Sequence, residues 1–164
     1  MISGLAAFTF VHVLLSLVGI GTGFIVVFGL LTGRRFDGWT ALFLSTTVAT
    51  SVTGFLFPFH QFMPSHGVAI VSLIVLAAAI PARYLFHLEG VWRRIYVITA
   101  VIALYLNVFV AIVQAFRKVP ALKALAPTQS EPPFVAAQLV VMALFIVLGI
   151  LAAIKFRNEP LRAA

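Results

Sequence analysis

No formally charged side chain occurs before Arg34, and none occurs between Asp37 and Arg83. An apolar stretch of that length cannot be hidden inside a soluble domain of this size. A bilayer removes the need to hide it: its hydrocarbon layer is about 30 Å thick and each helical crossing takes about 20 residues. Composition agrees, with 63% of the 164 residues hydrophobic and 9% charged at a mean hydropathy of +1.17. Soluble domains run at roughly 45–50% apolar and about 25% charged. Spanning strands would alternate over about 10 residues, and no such alternation is present. The expected fold is therefore all-α, an integral membrane bundle of five helices at about 4–31, 39–59, 67–86, 92–116 and 134–156, forming a single transmembrane domain over 1–164. The first run has no basic leader and is far longer than the 7–15 apolar residues of a signal peptide, so it reads as a retained helix.

The charges that remain sit at the ends of the apolar runs. The formal charge is +7, but its scatter suits topology and anionic headgroups, and nucleic-acid binding is excluded. Eight basic residues (Arg34, Arg35, Arg83, Arg93, Arg94, Lys155, Arg157, Arg162) fall on one side of a five-helix bundle and three (Arg117, Lys118, Lys123) on the other. Basic residues favour the cytoplasm, which predicts a bacterial inner-membrane protein with its N-terminus outside and its C-terminus cytoplasmic. Trp39, Tyr84, Trp92 and Tyr96 read as interfacial anchors, and Arg83 and His87 as headgroup-reaching side chains. The outer loop, 117–133, reads as a short interfacial helix followed by an extended, proline-rich segment.

Candidate chemistry gathers around the turn VTGFLFPFHQFMPSHG, which holds two of the four histidines. His60 and His66 belong to this turn, and His12 lies at similar depth in the first helix. Asn107, Gln114 and Gln138 complete a polar pocket in the outer half. At 3.6-residue spacing Thr9, His12, Ser16, Gly19 and Gly23 share one face of the first helix, and Ala100, Ala103, Asn107, Ala111 and Gln114 one face of the fourth. Imidazole ligates haem iron, copper and zinc, so His12, His60 and His66 are the candidate cofactor ligands, with haem or copper as the group they would take. Cysteine is absent, which removes disulfides and thiolate sites. Every carboxylate (Asp37, Glu89, Glu131, Glu159) falls in a loop or tail, and no inverted repeat divides the chain, which counts against a transporter. Ser16 has no acid to orient His12, which counts against hydrolysis.

The segments YLNVFVAIVQAFRKVPALKALAPTQSEPPF (105–134) and ALFLSTTVATSVTGFLFPF (41–59) resemble a group of small bacterial multi-pass membrane proteins without assigned activity. A fainter likeness, in helix count and scattered histidines, is to small families linked to respiratory oxidase assembly. Neither carries a functional residue over. The expectation is an accessory or assembly subunit of a membrane complex, partnered by lipid and by other membrane subunits or itself. A histidine-ligated haem b or metal protein of respiratory electron transfer is the alternative, and a small transporter the second.

Overall fold

The computed structural model describes residues 2–58, 61–156 and 162–163. Among the described residues six helices follow one another: α1 (Ile2–Leu31), α2 (Asp37–Gly54), α3 (Pro64–Tyr84), α4 (Val91–Lys118), α5 (Pro120–Leu125) and α6 (Pro132–Lys155). Two two-residue strands, β1 (Arg34–Arg35) and β2 (Arg162–Ala163), pair in parallel and tie the chain beyond α6 to the α1–α2 loop. Among the described residues four helices are long and apolar enough to cross a membrane: α1 from Gly4, α3, α4 and α6. The expected fifth, α2, is not one of them. It is only 18 residues long, opens on the charge of Asp37, and carries Thr40, Ser45, Thr46, Thr47, Thr50, Ser51 and Thr53.

Helix boundaries shift where proline begins an element instead of ending one. Pro64 occupies the first turn of α3, where its missing N–H is not needed and its fixed φ suits the helix. The helix therefore starts before Gly67, and His66 is part of it. Likewise Pro132 and Pro133 open α6. At the other end of the turn α2 stops at Gly54, short of the expected Phe59. The short helix expected in the outer loop forms as α5, which buries no side chain.

Neighbours pack as an antiparallel series. α1 lies on α2, α3 on α4, and α4 on α6, with α1 also meeting α4 and α6. Gly19 and Gly23 permit the closest approach: a Cβ on Gly23 would stand 2.5 Å from Leu104 and 2.9 Å from Phe43. Gly21, on the opposite side, faces open space. The apolar core lies toward one end of the bundle, from Val26, Val27 and Leu30 of α1 through Phe43, Leu76, Ala79, Val97 and Leu104 to Phe145 of α6. α6 buries only Phe145 and Ala152; its many exposed aliphatic side chains suit a lipid-facing helix.

The same end holds the arginines, and one of them is not where the sequence suggests. Arg83 does not reach out to headgroups: its side chain is 3% exposed and paired with Asp37, which Arg35 also approaches at 3.5 Å. Its guanidinium lies 5.2 Å from the Tyr96 ring centroid and 5.8 Å from that of Tyr84. Tyr96, expected as an interfacial anchor, is fully buried. Trp39 and Tyr84 are exposed, and Trp92 stacks on Phe86 at 3.8 Å. His87 lies in the turn after α3 with φ +48°.

Candidate functional site

The polar chemistry of the bundle is organised by α2. A buried hydroxyl without a partner is costly, and several α2 hydroxyls bond their own helix: Thr46 donates to Leu42 O at 2.7 Å, Ser51 to Thr47 O at 2.9 Å, and Thr53 to Ala49 O at 2.7 Å, while Thr50 Oγ1 is enclosed with no partner among the described residues. Hydroxyls of this helix also reach its neighbours. Thr47 accepts from Asn107 Nδ2 of α4 at 3.1 Å. Ser51 meets Ser72 of α3 at 3.0 Å. Thr53 meets His12 of α1 at 2.7 Å. Three helices are thereby bonded to one.

The Thr53 contact is to Nδ1 of His12 at 2.7 Å. When the Thr53 proton lies on the carbonyls of Ala49 and Thr50, the imidazole Nδ1–H of His12 donates across that distance. Nε2 then carries the lone pair. No side chain among the described residues partners it; the ring is half-buried, with its edge against Phe57 at 5.0 Å between centroids. A histidine held at Nδ1 by a hydrogen bond and open at Nε2 has the arrangement usual for a metal ligand.

His66 is placed differently. It is 3% exposed, although a turn histidine would ordinarily stand in water. Its Nδ1 accepts the Met63 amide at 3.0 Å, capping α3, and its ring stacks on Phe55 at 5.7 Å. A neutral imidazole accepting at Nδ1 is protonated at Nε2, the opposite tautomer to His12. His60 lies outside the described residues. Among the described residues no group of three His, Cys, Asp or Glu side chains is arranged to hold a metal ion.

Of the remaining polar candidates, Asn107 and Gln138 are tied to separate partners. Asn107 is bonded to Thr47 beside Gly19. Gln138 donates to Phe109 O at 3.3 Å, and its Oε1 is enclosed with no partner among the described residues. Gln114 is half-buried and makes no side-chain hydrogen bond among the described residues. Residue spacing passed over two features: the Arg83–Asp37 pair, signalled only by the absence of other charge between them, and a groove of about 440 Å³ between α4 and α6. Comparison of the chain with protein-family models, with curated proteins and with solved structures finds no match in any of the three.

Proposed function

We propose that this chain is an accessory or assembly subunit of a bacterial inner-membrane complex, with five crossings, the N-terminus outside and the C-terminus in the cytoplasm. The observation that carries this reading is that, among the described residues, side chains of three helices bond to α2: His12 of α1, Ser72 and Arg83 of α3, and Asn107 of α4. Polar side chains in the bundle hold helices to one another. Such bonds are a principal adhesive of membrane helices.

Support for the fifth crossing comes from the α2–α3 pair. Its two ends meet, Asp37 with Arg83 and Phe55 with His66, so α2 reaches as far as α3. At 1.5 Å per residue the two are about 27 and about 32 Å long. Support for the orientation comes from the gathering of Arg34, Arg35, Arg83, Arg93, Arg94 and Lys155 at helix ends joined by the Asp37–Arg83 pair, the Arg83–Tyr96 contact and the β1–β2 pairing. The test is extraction from native membranes into polymer nanodiscs, without detergent. A stoichiometric complex with another membrane protein is expected; a lone monomer across membrane preparations refutes the accessory role.

The open Nε2 of His12 favours a second reading, a haem or metal protein in which His12 supplies a ligand. Oxidised and dithionite-reduced spectra of the purified protein, with elemental analysis, test it. A Soret band with reducible alpha and beta bands that vanishes in His12→Ala supports it; a colourless, metal-free protein that fails reconstitution ends it.

A further inference from the structure

The groove between α4 and α6 presents a hydrogen-bonding group where the bilayer offers no partner. It is an open groove of about 440 Å³, lined by apolar side chains with one exception, Tyr105. Among the described residues the Tyr105 hydroxyl has no hydrogen-bond partner, and it is not one of the fully enclosed orphan atoms. Tyr105 lies mid-way along α4, about 21 Å of helix from Val91 and about 20 Å from Lys118. Phospholipid ester carbonyls lie at the edges of a hydrocarbon layer about 30 Å thick and do not reach that depth. An unpaired hydroxyl there is costly, so the molecule that completes it must live within the hydrocarbon layer and bring an acceptor.

The remaining lining narrows its chemistry. The Tyr105 and Phe145 rings, both in the lining, stand 5.6 Å apart at 56° and bring aromatic surface to the groove. Gly149 leaves the floor open beside Val101. A volume of this size and a mostly apolar lining with a single orienting polar group are the marks of a small-molecule site. The lining has no carboxylate, amide or histidine side chain, so a ligand bringing several donors would leave them unpaired. A ligand bringing acceptors only is matched.

We propose that the α4–α6 groove binds a lipid-soluble quinone, with the Tyr105 hydroxyl donating to one ring carbonyl and the isoprenoid tail lying along the apolar groove. This goes beyond the accessory role and stands apart from the His12 site.

The experiment uses the full chain in nanodiscs with decylubiquinone as the probe and decylbenzene as its carbonyl-free counterpart. Binding is read by equilibrium partition, and an azido-ubiquinone photolabel maps the site. Saturable decylubiquinone binding is expected, with labels on the α4 and α6 peptides. Tyr105→Phe removes one hydroxyl and nothing else; it is expected to weaken decylubiquinone about tenfold and leave decylbenzene unchanged. Gly149→Leu, which fills the groove, is expected to abolish both. Absence of saturable binding to the wild type, equal affinity in Tyr105→Phe, or labels confined to other helices each overturns the proposal. So does loss of a self-associated state in Tyr105→Phe without loss of quinone binding, which would assign the hydroxyl to a partner helix.

Discussion

Arg83 and Asp37 are unequal partners, and their inequality predicts an asymmetric response to mutation. The Arg83 side chain is 3% exposed and Asp37 59%. Removing one member of a buried pair costs about 3–5 kcal/mol, because the other charge is left in low dielectric without compensation. Asp37→Asn does this to Arg83, which among the described residues keeps its contacts with Tyr96 and Tyr84. Asp37 is itself more than half exposed, so solvent screening brings the charge part down to about 2–3 kcal/mol. Asp37 also begins α2, and loss of its charge from the helix N-terminus adds about 0.3–1 kcal/mol. The expected total for Asp37→Asn is about 2–4 kcal/mol.

Arg83→Met reverses the situation. The carboxylate left behind is solvated and still has Arg35 at 3.5 Å, while a methionine fills the buried volume without a desolvation cost. Replacing a buried charge with an apolar group of similar size is often neutral, and the lost contacts with two aromatic rings contribute about 1 kcal/mol. The expected cost is about 0–1.5 kcal/mol, and the double variant should resemble Arg83→Met, not the sum of the two. Reversible unfolding in mixed micelles of the four proteins in this cycle measures all three values. A cost for Arg83→Met equal to or above that for Asp37→Asn refutes the inference that Arg83 is the buried, dependent partner.

Other expectations follow from the helix contacts. Gly23→Ala puts a methyl 2.5 Å from Leu104 and 2.9 Å from Phe43, and should cost about 1–3 kcal/mol by overpacking; Gly21→Ala, which meets nothing within 4 Å, should be neutral or stabilising by at most about 1 kcal/mol, both read in the same unfolding assay. A Thr47→Val, Asn107→Leu cycle should return a coupling near 0.6 kcal/mol, the usual size for an interhelical hydrogen bond in a bilayer. At Glu131, desolvation raises the carboxyl, but the combined bonds from the Thr128 hydroxyl at 2.8 Å and the Thr128 and Ser130 amides at 3.1 Å hold it below its ordinary value. A depressed folded value means that these bonds are in force above the unfolded pKa and are lost as pH falls through the folded one. Amide protection at Thr128 and Ser130 should therefore decline in that acid window and show no such acid transition in Glu131→Gln, whose amide oxygen accepts but does not titrate.

What was legible in the sequence was whatever depends on helical period. The face from His12 through Gly19 to Gly23 meets α2 and α4 as its spacing implies, since membrane helices approach through small residues, and Ala100 and Ala103 of α4 are fully buried. What was not legible depends on the register of one helix against the next. His66 reads as a surface residue if Pro64 ends a helix and as a capping residue if Pro64 begins one; only the packing of Phe55 and Phe62 around the ring distinguishes the two. Arg83 reads as a snorkelling side chain until an antiparallel α2 brings Asp37 to the same level. The Tyr105 groove has no local signature, because its walls come from two helices whose mutual rotation no single period encodes.

That same register carries the topology, and the absence of cysteine from the chain makes it directly measurable. If α2 crosses the membrane, the α1–α2 loop and the α2–α3 turn lie on opposite sides; if it does not, they share one. Thr32 and Ser65 are exposed residues of these two segments. Membrane-impermeant maleimide applied to spheroplasts should label Ser65→Cys at once and Thr32→Cys only after permeabilisation, with His87→Cys following Thr32. Ser65 labelling only after permeabilisation would invert the bundle while keeping five crossings. Labelling of Thr32 and Ser65 from the same side would mean that α2 enters and leaves by one face. The Asp37–Arg83 pair could not then join the start of α2 to the end of a membrane-spanning α3, and both the fifth crossing and the stability asymmetry predicted for that pair would fall together.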